Sequence, residues 1–186
     1  MQRLGQYELM GRIGAGGMGQ VFRARHAMLQ RPTAVKLLPP EGLGPQSLAR
    51  FEREVKLTDQ LTHPNTVTIY DYGRTPDGLF YYAMELLAGA DLHTVVEKTG
   101  CLSSRRVAQL LSQAAAALQE AHDIGLIHRD IKPQNLIVCE LGGKPDVIKV
   151  VDFGLVKEVE KQAAASLTQQ NVLPSGRSHR VFRSSF

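Results

Sequence analysis

The 186 residues suffice for one large domain or two small lobes, and an apolar share of 43% supports a packed core. The formal charge of +4 invites a nucleic-acid partner, but its distribution argues against one: Arg177, Arg180 and Arg183 lie in a final stretch with no acid after Glu160, and without them 19 bases face 18 acids. No apolar run approaches the length needed to span a bilayer, no signal peptide precedes the first strand-like sequence, and the two cysteines, Cys101 and Cys139, show no pairing motif, which fits a reduced, cytoplasmic protein.

Residues 7–13 are apolar at alternate positions and predict a strand. Gly14-x-Gly16-x-x-Gly19-x-Val21 follows. Taken alone, such a pattern fits a dinucleotide-binding turn or a plain loop. A dinucleotide fold needs a helix to begin at the last glycine. Here Val21-Phe22-Arg23-Ala24-Arg25 alternates like a strand, which predicts a β-hairpin with a glycine-rich tip. Glycines at that tip let the backbone approach phosphate closely and offer unobstructed N–H donors. Thr33-Ala34-Val35-Lys36 reads as the next strand. After a Gly/Pro-rich connection over 39–45, Ser47 can cap a helix running to about Gln60, with Leu48, Phe51, Val55 and Thr58 as its inward stripe and Glu54 beside it.

Residues 67–72 and 79–84 predict two strands joined by a turn containing Pro76-Asp77-Gly78. The second leads into Glu85-Leu86-Leu87-Ala88-Gly89, and a short helix is expected over 91–98. A longer helix is expected over 103–122, where Val107, Leu110, Leu111, Ala114, Leu118 and Ala121 recur with helical spacing and read as one core-facing stripe.

Next comes His128-Arg129-Asp130-Ile131-Lys132-Pro133-Gln134-Asn135, a loop between that helix and the apolar run from Leu136. Residues 136–139 and 147–151 predict a small hairpin turning at Gly142-Gly143, and Asp152-Phe153-Gly154 emerges at its end. A phosphoryl-transfer site needs a carboxylate for the attacking hydroxyl, a cation for the transferred phosphate and neutral and anionic oxygens for a metal. The loop and the following Asp152 bring these residue types together. The six histidines are scattered without ligand spacing, so no zinc site is expected.

H-R-D-x-x-x-x-N followed by D-F-G is the catalytic signature of protein kinases. With the glycine loop, the strand lysine and the helix glutamate preceding it in order, the chain resembles a serine/threonine protein kinase domain of the bacterial eukaryotic-like (Hanks-type) branch. Ile13-Gly14-Ala15-Gly16-Gly17-Met18-Gly19 is typical of that branch, and Lys132-Pro133 is similar to serine/threonine rather than tyrosine kinases. The resemblance implies an α+β bilobal fold: a β-rich N-lobe with one helix over 7–84, a hinge over 85–90, and the start of a helical C-lobe over 91–170, left incomplete. An irregular basic tail over 171–186 follows.

The same resemblance implies ATP and Mg²⁺ as cofactors, protein serines and threonines as substrates, and a kinase dimer as a further association. Asp130 would take the substrate hydroxyl and Lys132 the γ-phosphate. Ile13 to Gly19 would cover the phosphates, with Val21 and Ala34 packed on the adenine. Lys36 would hold the α- and β-phosphates while paired with Glu54. Met84 would be the gatekeeper, the C=O of Glu85 and the N–H of Leu87 would bond the adenine, and Asn135 and Asp152 would hold Mg²⁺. His128 would pack below Phe153. Arg129 would pair with a phosphate on the activation segment, with Thr168 the foremost acceptor and Ser166 next. Thr58 departs from the aliphatic residue usual one turn after the glutamate, which would loosen the packing there.

The resemblance runs from about Tyr7 to Thr168. Beyond it no A-P-E triplet occurs, and the Arg-, Ser- and Gly-rich residues 171–186 resemble the product of a shifted reading frame. A chain incomplete in its C-lobe would leave apolar surface bare on the helix at 103–122. Two functions follow: phosphoryl transfer from ATP to Ser/Thr hydroxyls with autophosphorylation of the activation segment, or a non-catalytic kinase fragment that binds nucleotide or a partner.

Overall fold

The computed structural model describes residues 2–16, 19–38, 45–75 and 78–153. Strands β1 (Gln2–Leu4), β2 (Tyr7–Gly16), β3 (Gly19–His26), β4 (Pro32–Leu38), β5 (Ile69–Arg74) and β6 (Phe80–Glu85) form one antiparallel sheet, ordered β1-β2-β3-β4-β6-β5. Helix α1 (Pro45–Asp59) leaves that sheet after β4. Then come β7 (Gly89–Asp91), α2 (Leu92–Thr99), α3 (Ser104–Asp123), a 3₁₀ turn (Pro133–Asn135), β8 (Leu136–Leu141) and β9 (Lys144–Val150), with β7, β8 and β9 forming a second small sheet. This is the kinase-like arrangement of a β-rich lobe with one helix, followed by helices and a small sheet.

The central strand β4 is covered on both faces. Ala34 and Leu38 join Val55, Val67, Ile69, Phe80, Tyr82 and Met84 on one side. Val35 joins Leu4, Tyr7, Leu9, Ala24 and Ala83 on the other. The alternation of Ala34, Val35 and Lys36 thus decides which side chain faces the cleft. In the second lobe Leu110, Ala114, Ala117 and Ala121 of α3 pack against Leu136, Ile148, Val150 and Phe153. Small alanines let the helix lie close to the β8–β9 hairpin. Ser103 caps α3 by accepting from the Arg106 N–H, and Asp91 caps α2 by accepting from the Thr94 N–H at 2.9 Å.

Most expected elements are present, but β1 was not foreseen, β2 runs on to Gly16, β9 starts at Lys144, and Ser47 lies inside α1, which begins at Pro45, rather than at its N-cap; three further differences have a physical reason in the structure. The strand expected from Val67 starts at Ile69, because the Val67 N–H is spent on the Val150 C=O and Thr66 bridges Val150. Strand β7 was unforeseen; three residues lack the length for a periodic signal, and its pairing with β8 is tertiary. The α3 stripe is also corrected. Leu110 is 1% exposed, but Leu111 is 49% exposed and Val107 is exposed too, while Ala117, absent from the expected stripe, is buried. The hairpin covers only the line 110, 114, 117, 121, and Leu111 sits about 100° further round the helix. On α1, Val55 and Thr58 are buried as expected, and the Leu48 and Phe51 side chains lie outside the described set.

Polar ties fasten the two lobes. Glu120 of α3 accepts from the N–H and hydroxyl of Thr62 and the N–H of His63. The Asn65 amide donates to the Ile148 C=O at 2.6 Å, and the Val150 N–H returns to the Asn65 C=O at 2.7 Å.

Candidate active site

Between the sheets lies a cleft of about 570 Å³. Ile13, Gly14, Val21 and Ala34 line it from the N-lobe, Met84, Glu85, Leu86 and Leu87 from the connection, and Ile137, Val151 and Asp152 from the C-lobe. Eight of the expected nucleotide or metal residues therefore share one cavity. Ala15, Gly16 and Gly19 belong to the β2–β3 hairpin above it. Gly19 has φ +114°, and a Cβ there would stand 2.1 Å from the Leu37 C=O oxygen, so no other residue fits. Gly17 and Met18, and Gly154, Ser166 and Thr168 further on, lie outside the described residues.

At the inner end of the cleft, Lys36 is buried and its Nζ meets Asp152 Oδ1 at 2.6 Å. The Tyr82 hydroxyl donates to the same oxygen at 2.9 Å. Burial first, then the charge of Asp152, raises the Tyr82 pKa well above 10, so the phenol stays a donor. The expected pairing of Lys36 with Glu54 is not what the structure forms. Glu54 Oε1 instead takes Arg129 Nη1 at 3.3 Å, because α1 presents it toward 125–129, where a cavity of about 390 Å³ is lined by Arg53, Glu54 and Arg129 among others. Lys36 has the closer carboxylate of Asp152. Both Arg129 (φ 59°) and Asp152 (φ 57°) hold left-handed backbone conformations, and non-glycine residues there concentrate at functional sites.

The 128–135 loop is fixed from inside. The His128 ring lies 4.8 Å from that of Phe153, Nδ1 accepts the Asp130 N–H at 3.3 Å, and Nε2–H donates to the Val151 C=O at 2.9 Å. Both nitrogens are thereby used by a neutral imidazole, and burial lowers its pKa. This matches the structural role expected of His128. Asp130 is buried, with Lys132 Nζ 2.9 Å from its Oδ2. Asn135 Nδ2 donates to the Asp130 C=O at 2.8 Å and to Oδ2 at 3.3 Å. That fixes which way the amide points: two acceptors claim the nitrogen, and Oδ1 accepts nothing among the described residues.

Asn135 Oδ1 and Asp152 Oδ2 are thus two oxygens without hydrogen-bond partners among the described residues. Hard oxygens, few in number, suit Mg²⁺, which takes one or two protein oxygens and completes its shell with phosphate and water. Among the described residues no cluster of three His, Cys, Asp or Glu side chains could hold a metal. Residues that the sequence left unmarked also reach the site. Tyr82 shares a strand face with Met84 and is the register partner of Lys36, a relation that only sheet pairing reveals. Ile137 and Val151 line the cleft floor, and Val151, just before Asp152, could have been read from its neighbour.

A glycine-bearing hairpin over a cleft lined by Asp152, with Asp130, Lys132 and Asn135 joined in the adjoining loop, defines a fold of the protein kinase kind. Residues 7–174 match the protein kinase domain, and the chain belongs to that family. It is 42% identical over 153 residues to serine/threonine-protein kinase pkn3 of Myxococcus xanthus, covering 82% of this chain and 28% of that protein. It is 39% identical over 174 residues to serine/threonine-protein kinase PknA of Mycobacterium tuberculosis, covering 91% of this chain and 39% of that one. The chain therefore spans well under half the length of these relatives. The PknI kinase domain crystal structure from Mycobacterium tuberculosis superposes with a TM-score of 0.73 at 28% identity, over 84% of this chain and 62% of that one. No helix among the described residues is long and apolar enough to cross a membrane.

Proposed function

We propose that this chain transfers the γ-phosphoryl group of ATP to serine and threonine hydroxyls of proteins, and that it phosphorylates its own activation segment, at Thr168 first. The observation that carries the reading is that Lys36 meets Asp152 on the cleft lining, while Lys132 and Asn135 meet on Asp130 in the loop that the Val151 N–H ties to Asn135 beside it. Asp130 accepts the hydrogen bond of the attacking hydroxyl and then its proton. Lys132, 2.9 Å from Asp130, takes the phosphate being transferred. Lys36 holds the nucleotide phosphates, and the backbone at Glu85 and Leu87 holds the adenine, with Val21, Ala34 and Met84 around it. ATP supplies the phosphoryl group, and Mg²⁺, held by Asn135 and Asp152, offsets charge on its phosphate oxygens. The remaining expectations, a cytoplasmic location and a kinase dimer, belong to the same proposal.

One observation favours a second reading, a nucleotide-binding chain without transfer: Lys36 sits on Asp152 and Glu54 on Arg129, so the helix glutamate does not hold the lysine for phosphate. The two readings separate in one experiment on the full chain with γ-labelled ATP, Mg²⁺ and a protein substrate. The first expects alkali-labile label on serine or threonine, lowered about a hundredfold or more in Asp130→Asn. A chain that binds ATP but transfers no label supports the second.

A further inference from the structure

The fold treats the two oxygens of Asp152 differently. Oδ1 takes both Lys36 Nζ at 2.6 Å and the Tyr82 hydroxyl at 2.9 Å. The donors are 3% and 2% exposed, whereas the Asp152 side chain is 26% exposed and lines the cleft. Oδ2 takes no hydrogen bond among the described residues. Two donors fixed on one oxygen restrict rotation of the carboxylate and turn the other oxygen outward. This matters because the Asp152 backbone is left-handed and not part of a strand, so no ladder secures the side chain.

The two donors are not equivalent. Lys36 and Tyr82 are register partners across β4 and β6, and so come from the same rung of the sheet. Lysine is a point charge on a flexible four-carbon stem, free to exchange one anion for another. Tyr82 has only two side-chain torsions, and its ring is packed with Val55, Phe80 and Met84. When Lys36 turns to a phosphate, Tyr82 is the donor that stays.

We propose that Tyr82 is a positioning residue for metal-assisted nucleotide binding: its hydroxyl anchors Asp152 Oδ1, presenting Oδ2 to the cation once Lys36 has turned to the nucleotide. This rests on the nucleotide-binding reading above. In Tyr82→Phe, Asp152 keeps no anchor once Lys36 has turned to the phosphates, and Oδ2 is no longer held toward the cation.

The test measures ADP affinity of the full chain with and without saturating Mg²⁺, in native protein and Tyr82→Phe. The variant should bind metal-free ADP within twofold of native, while the enhancement by Mg²⁺ falls about fivefold or more, the worth of one hydrogen bond to a charged group. A merely structural role would weaken both affinities alike, and either that result or an unchanged enhancement overturns the proposal. If circular dichroism finds Tyr82→Phe unfolded, 3-fluorotyrosine at position 82 alone keeps the donor. Its ¹⁹F resonance must move when Mg²⁺ joins the ADP complex, and an unmoved resonance overturns the proposal. Native chain that binds no ADP sinks the nucleotide reading and this inference with it; ADP binding with an unchanged metal effect sinks only the inference.

Discussion

His128 sits in the middle of the 128–135 loop packing, and its protonation is coupled to folding. Its Nδ1 accepts the Asp130 N–H and its Nε2–H meets the Val151 C=O, so a second ring proton would abolish the first bond. Burial, the largest cause, lowers its pKa below the unfolded value near 6.5. Below about pH 6.5 the unfolded chain therefore binds a proton that the folded chain refuses, and stability rises with pH through this window. The contribution is complete above pH 6.5 and is lost as pH falls toward the folded value, with a slope of at most about 1.4 kcal/mol per pH unit. Melting curves from pH 7.5 to 5.5 should show this loss in the native chain. His128→Gln should be less stable at pH 7.5 and flatter across the same window. Thr58 illustrates the opposite case: it is buried where an aliphatic residue was expected, but its hydroxyl donates to the Glu54 C=O at 2.8 Å, so no polar atom is stranded.

At the scale of elements, α3 separates two leucines that sequence periodicity placed together. Leu110 packs in the second-lobe core, while Leu111 is half exposed beside Val96 and Val107 in a shallow apolar groove of about 110 Å³. Leu110→Ala should cost about 2–5 kcal/mol, as buried leucines do. Leu111→Ala should cost under about 0.5 kcal/mol, as surface changes do. Denaturant unfolding of both variants checks the contrast, and equal costs would mean that both faces are packed in solution. The two leucines also mark what the sequence could convey. Period, caps and turns are local, so the glycine hairpin, α1 to α3 and the β8–β9 hairpin were legible, as was each residue of the 128–135 loop. Which side of α3 is covered depends on the hairpin some 30 residues later. Lys36 and Asp152, 116 residues apart, were each legible, but their contact was not. Nor was the exchange of Glu54 from Lys36 to Arg129, which depends on how α1 is set against the loop.

For the molecule as a whole, the question is what makes two lobes one cleft. The backbone connection over 86–88 is short, and one further tie between the lobes runs through Glu85 and Lys149. Lys149 Nζ meets Glu85 Oε1 at 2.6 Å and also donates to the Thr66 C=O at 3.1 Å. The same Glu85 oxygen accepts the Thr68 N–H at 2.8 Å. Glu85 lines the cleft between the sheets, and Lys149 lies three residues before Asp152 on the strand that leads to it. The pair thus ties the Glu85 end of the cleft to the strand that leads to Asp152, through side chains with little water around them. Removing one partner of a buried pair costs more than the pair itself contributes, because the remaining charge stays buried. Lys149→Met should therefore destabilise the chain by about 3 kcal/mol. Adding Glu85→Gln to it should recover about 1–2 kcal/mol, since the amide oxygen still accepts the Thr68 N–H and no charge is stranded. Urea unfolding of the two variants decides the matter. A single substitution costing under about 1 kcal/mol would mean that water reaches Glu85 and that the backbone rungs from Asn65 and Val67 to Val150 hold the lobes without it.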